Sequence, residues 1–163
     1  MPSQFSVRLA KECHVFSAAH FITFNRNVCE RLHGHNYRVQ VEVFGPLDEN
    51  HYVIDFIALR DELTKITQSL DHRMLLPTTH PDIRVTTTGQ EVEAVFAPDG
   101  RRWVFPLGDC CLLPVANTTA ELLAEHIGHK LEEAIFARTG QRFGRLRIEV
   151  DENHGQWGVC ELP

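Results

Sequence analysis

The stretch Cys29-Glu30-Arg31-Leu32-His33-Gly34-His35-Asn36-Tyr37 constrains this chain more than any other. His33 and His35 run directly into Tyr37, Val39, Val41 and Val43, and apolar residues at every second position predict a half-buried β-strand. Both imidazoles therefore point to one face. Phe5, Val7 and Leu9 alternate upstream, and Val15 and Phe16 lead toward His20, so residues 5 to 20 are expected as a first strand with His20 at or near its end. Three neutral imidazoles converging from two neighbouring extended segments would leave a tetrahedral Zn²⁺ one open position, the pattern of a catalytic zinc rather than a structural one. An H-x-H pair on a strand is equally compatible with two solvated or hydrogen-bonded histidines. His20 and Cys29 favour the metal.

Residues 21 to 32 hold Asn25, Arg26 and Asn27 and predict a polar loop, with Cys29 at its inner end. Gly45-Pro46-Leu47-Asp48 predicts a turn. Phe56, Leu59, Leu63, Ile66 and Leu70 then fall at alternating spacings of three and four, an amphipathic helix with Asp55 placed to cap it. Asp71 and His72 follow at its end. Glu91 to Ala97 and Arg101 to Leu107 read as strands joined by the turn Pro98-Asp99-Gly100, so a hairpin is expected there. Cys110-Cys111 lies beyond it without a second C-x-x-C pair or nearby histidine, and is read as structural. Thr118-Thr119-Ala120-Glu121 has the capping-box form and opens a second helix running to about Gly140. His126 and His129 on that helix lack a completing carboxylate or cysteine and are read as solvated. Arg147 to Asp151 predicts a strand, and Asn153-His154-Gly155 a turn into Trp157 to Leu162, which leaves Glu152 at a strand end.

Four core strands and two long helices give an α+β fold. With 163 residues, 43% apolar and 23% charged, one globular domain over 1–163 is expected. A net charge of −6 without long like-charge runs offers no basic patch for nucleic acid. No window reaches the length of a membrane span, and no basic segment followed by an apolar core opens the chain. Five unevenly spaced cysteines suit reduced thiols better than a disulfide framework. A cytoplasmic location is expected.

Phe16-Ser17-Ala18-Ala19-His20, Cys29 to Tyr37, Val53-Ile54-Asp55-Phe56, Leu70-Asp71-His72, Asn117 to Glu121 and Val150-Asp151-Glu152 together resemble the 6-pyruvoyl-tetrahydropterin synthase family. The likeness extends from about residue 5 to about residue 160, broken by an insertion at about 78–115. The spacing C-x-x-x-H-G-H is similar to the branch that makes 6-carboxy-5,6,7,8-tetrahydropterin for queuosine (7-deazaguanine) biosynthesis. The resemblance implies a tunnelling fold, with an antiparallel sheet, two helices on one face and an inserted hairpin. It also implies a homo-hexamer of two stacked trimers, with active sites at subunit interfaces. His20, His33 and His35 would hold Zn²⁺. The substrate would be 7,8-dihydroneopterin triphosphate with its side-chain hydroxyls on the metal. Cys29 would take a proton, His72 with Asp71 would shuttle protons, Glu152 would grip the pterin, and Thr118 and Thr119 would contact substrate. A related branch replaces the cysteine with a glutamate in E-x-x-H-G-H, a spacing that Glu30 satisfies here; Cys29 is the expected base, with Glu30 facing solvent. The pyruvoyl-forming reaction and a non-catalytic zinc or pterin binder of the same fold are the alternatives.

Overall fold

The computed structural model describes residues 3–25 and 27–163. Its first three long strands are β1 (Phe5–Leu9), β2 (Val15–His20) and β5 (His33–Gly45), with the short pair β3 (Thr23–Phe24) and β4 (Val28–Cys29) in the loop between β2 and β5. Residues 5 to 20 are thus two strands rather than one. Leu9 lies opposite Val41 and Val15 opposite Arg38, so the segment between carries surplus residues that loop out. Helix α1 (Phe56–Leu70) follows, capped as expected by Asp55, whose Oδ1 accepts from the Ile57 amide at 2.8 Å. Strand β6 (Arg73–Pro77) leads into the segment 78–115.

Residues 78–115 depart from the expected hairpin. They form a three-stranded antiparallel sheet of β7 (Ile83–Thr88), β8 (Glu91–Phe96) and β9 (Arg101–Pro106). A 3₁₀ turn at Leu107–Asp109 then feeds β10 (Cys110–Leu113), which pairs parallel with β6 and so belongs to the main sheet. Helix α2 (Ala120–Thr139), β11 (Arg145–Asp151) and β12 (Trp157–Leu162) complete the chain. The main sheet has seven strands in the order β10-β6-β2-β5-β11-β12, with β1 also paired to β5. It is antiparallel except where β6 meets β2 and β10.

Two cores result. In the larger, α1 and α2 cover one face of the main sheet, and Phe16, Tyr37, Val39, Val41, Leu59, Leu123, Ile127, Ile148 and Val150 are buried between them. The smaller joins Phe21, Cys29, Met74 and Leu76 to Ile83, Val92, Ala94 and Phe96 of the three-stranded sheet. Strand alternation explains the vicinal cysteines, since Cys111 packs on the first core and Cys110 on the second. Close approach of β12 to α2 requires glycine, because a Cβ on Gly158 would stand 2.5 Å from the Ala120 carbonyl carbon and the Glu121 nitrogen. That contact seats the start of α2 against the sheet. Thr119 is its cap, accepting from the Leu122 amide at 3.4 Å, and Gly140 ends the helix in the left-handed region. Thr118, the first residue of the expected capping box, is left free for the site.

Candidate metal centre and active site

The antiparallel register of β2 and β5 places His20 opposite His33 and Ala18 opposite His35. A Cβ on Gly34 would lie 3.0 Å from the Ala18 carbonyl oxygen, so glycine between the two histidines permits this close pairing. The three imidazoles meet edge to face with centroids 4.8 to 5.2 Å apart, and one nitrogen from each lies within 4.8 Å of the others. His20 is buried and its Nδ1 contacts the Thr118 carbonyl at 2.8 Å; His33 Nδ1 contacts the Arg31 carbonyl at 2.8 Å. A proton held on Nδ1 by a carbonyl leaves Nε2 as a lone pair, the form that binds metal. Among the described residues Nε2 of His20 and of His35 have no hydrogen-bond partner although both atoms are buried, a costly arrangement unless a ligand satisfies them. Burial pushes the His20 pKa down to about 4, so this imidazole is neutral at pH 7. These three histidines could hold a metal ion, and the orphaned nitrogens are the feature that fits one.

Tyr37 floors the cluster, stacked on Phe16 at 4.8 Å and edge-on to His20 and His35. Glu152 stands at the rim with Oε1 3.3 Å from His35 Nε2, outside hydrogen-bond alignment. The turn behind it is built by buried Asp151. Desolvation works against the ionised Asp151 carboxylate, but Arg38 and the amides of Gly155 and Gln156 outweigh it and hold the pKa below the usual range.

Thr118 presents no hydroxyl to solvent. It is fully buried, with Oγ1 donating to the Phe21 carbonyl at 3.1 Å and its own carbonyl fixing His20, while the Thr119 hydroxyl is engaged as the helix cap. Cys29 and Glu30 diverge, as consecutive residues of an extended chain do. Cys29 points into the second core at 6% exposure, and burial raises its thiol pKa although Arg101 opposes this. Glu30 does not simply face solvent: Oε2 accepts from the Ile22 amide at 3.2 Å and lies 3.9 Å from His33 Nε2.

Asp71 and His72 form the expected pair, Oδ2 to Nδ1 at 2.8 Å, but not at the imidazole cluster. Asp71 Oδ1 accepts from the Ser17 amide at 2.8 Å, the main cause of its lowered pKa, and His72 adopts φ 56°. His72 lines a groove of about 560 Å³ whose wall is formed by Ser17, Ala19, Gly34 and Asn36 of β2 and β5 and which also includes His35. His126 and His129 join no such cluster among the described residues; His126 is half-buried and His129 lies 3.6 Å from Glu132. Arg101, which donates to the Cys29 carbonyl, carries no sequence signal that would single it out.

A family model described as 6-pyruvoyl tetrahydropterin synthase matches residues 8–162. The chain belongs to this family. A 6-carboxy-5,6,7,8-tetrahydropterin synthase from Rickettsia felis is 29% identical over 139 residues, covering 84% of this chain and 88% of that one. One from Aquifex aeolicus is 28% identical over 109 residues, 66% of this chain and 62% of that one. The structure of Plasmodium falciparum 6-pyruvoyl tetrahydropterin synthase superposes with a TM-score of 0.89 at 28% identity, covering 99% of both chains. The mixed α+β architecture is therefore the tunnelling fold of this family, whose members are pterin synthases. Among the described residues no helix is long and apolar enough to cross a membrane.

Proposed function

We propose that this protein is a zinc-dependent lyase that converts 7,8-dihydroneopterin triphosphate and water to 6-carboxy-5,6,7,8-tetrahydropterin, acetaldehyde and triphosphate, within queuosine biosynthesis in the cytoplasm. It acts as a single domain over 1–163 with the insertion at about 78–115. The observation that carries the reading is the three-imidazole cluster with Glu152 at its rim, in a family member whose relatives bear that name. His20, His33 and His35 would hold the zinc. A zinc ion there supplies Lewis acidity that lowers the pKa of a substrate hydroxyl or carbonyl.

The protein's own groups do the rest. Glu152 accepts hydrogen bonds from the amino and ring N–H groups of the pterin, which a carboxylate does with two oxygens at once. Glu30, held by the Ile22 amide beside His33, is the nearer proton acceptor; Cys29 competes for that role through its family spacing. Asp71 keeps His72 in one tautomer and orients its ring.

Incubation with 7,8-dihydroneopterin triphosphate followed by mass spectrometry tests the reaction. The expected products are the carboxy pterin and acetaldehyde, and an unchanged substrate would refute the lyase reading. A pterin with a cleaved side chain is the second reading, favoured by the position of Glu30; a pyruvoyl product would move the protein to the other branch.

His72 over the groove along β2 and β5 supports a shared site, in which the Asp71–His72 pair of one copy serves the imidazole cluster of another in a homo-hexamer. Mixing inactive His72→Ala and His33→Ala proteins under conditions of subunit exchange is expected to restore partial activity. No recovery would mean that each chain carries a complete site.

A further inference from the structure

Arg101 ties the 78–115 segment to the loop that bears Glu30. Arg101 opens β9 and lies across the loop that bears Glu30, with Nη2 donating to the Cys29 carbonyl at 2.7 Å and Nη1 to the Glu30 carbonyl at 3.4 Å. Asp99 aims it, accepting from Nε at 2.6 Å and from the Arg101 amide at 2.9 Å. The guanidinium also sits 5.7 Å from the Phe96 ring centroid and 5.6 Å from that of Trp103, and Trp103 stacks on Phe21 at 4.4 Å. A planar fork with two donors on consecutive carbonyls restrains two peptide planes together, which a lysine ammonium on a flexible stem does less well.

The other end of the same loop is also held. Asn117 bonds both the amide and the carbonyl of Thr23, at 3.3 and 3.0 Å, and Thr23 Oγ1 meets His80 Nε2 at 2.7 Å. Between these anchors the Glu30 amide donates to the Ile22 carbonyl at 2.9 Å. Rotation of the peptide joining Cys29 and Glu30 would take the Glu30 carboxylate off the Ile22 amide and away from His33. Arg101 opposes that rotation in a loop whose strand pairing, among the described residues, is the short β3–β4 pair.

We propose that Arg101 is a positioning residue of the lyase, fixing the Cys29–Glu30 backbone so that the Glu30 carboxylate is held at the metal-binding imidazoles. This rests on Glu30 as proton acceptor in the reading above. It assigns the insertion a catalytic purpose: a strand turn supplies the restraint that the polar loop lacks.

The test uses metal-loaded full-length protein and the variants Arg101→Ala, Arg101→Lys and Asp99→Asn. In Arg101→Ala, amide exchange over residues 21–32 is expected to rise about tenfold or more, with α1 and α2 unchanged. Misplacing a reacting group by about 1 Å costs up to about 10²-fold, so kcat is expected to fall about 10- to 100-fold with KM within about threefold and metal content intact. Arg101→Lys should recover part of the loss, and Asp99→Asn should show a smaller loss of the same kind. Unchanged exchange in the loop, or faster exchange with wild-type kcat, overturns the proposal. Faster exchange throughout the helices overturns it too, since that marks a general loss of stability. Wild-type protein inert toward dihydroneopterin triphosphate refutes the lyase reading, and exchange alone then decides whether Arg101 holds the loop.

Discussion

His33→Ala is expected to yield a folded protein that no longer retains metal and has lost essentially all turnover. His33 is the right ligand to remove because its side chain is 38% exposed and lies outside both apolar cores. His20, by contrast, is 1% exposed and tied to the Thr118 carbonyl, so its removal would confound ligation with packing. Two imidazoles remain in the variant, too few for the three-protein-ligand set of a catalytic zinc. Lewis-acid stabilisation of transition-state charge contributes several kcal/mol, so a rate loss of at least about 10³-fold is expected. Elemental analysis should give about one zinc per wild-type chain and close to none in the variant, while the thermal midpoint measured without metal should barely move. Full zinc content in His33→Ala would sink the ligand assignment.

The second large effect separates Glu30 from Cys29. Removing a general base typically costs about 10²- to 10⁴-fold, and Glu30→Gln is expected to show a loss in kcat of that order. The amide side chain keeps its shape and can still accept from the Ile22 amide, so metal content and KM should stay close to wild type. Cys29→Ala removes a small buried group from the second core and should lower stability by about 1 kcal/mol without a comparable loss of turnover. The reverse outcome, Cys29→Ala inactive and Glu30→Gln active, would return the proton to the thiol. It would also require the Cys29 side chain to leave the core it occupies among Phe21, Met74 and Phe96.

These two variants bear on the step where sequence and structure part. The alternation from His33 through Val43 made β5 and the shared face of two imidazoles legible, because strand periodicity needs no knowledge of the partner strand. Asp55 as a cap and the stripe of α1 were legible for the same local reason. Strand β7 is not legible in the sequence, since Ile83 and half-buried Val85 alternate only once before the exposed Thr86, Thr87 and Thr88, too short a run for a period-two signal. The break between β1 and β2 was hidden because alternating residues on either side of a loop look continuous until the partner register is known. Thr118 and Thr119 are both acceptable caps, and only the seating of α2 on Gly158 selects the second and frees the first to hold His20.

The sequence by itself determined the α+β class, the two helices, the family and the candidate imidazoles of His20, His33 and His35. Each follows from residue type and short-range spacing. Tertiary structure alone decided what stands around those imidazoles. Pairing of β2 with β5 brings the nitrogens together, the second core draws Cys29 away while Glu30 turns toward His33, and the turn after α1 sets His72 over the groove along β2 and β5. Arg101 reaches the loop from a strand some seventy positions along the chain. Such contacts depend on register and on which face of a strand meets which neighbour, and a shift of one residue reverses them.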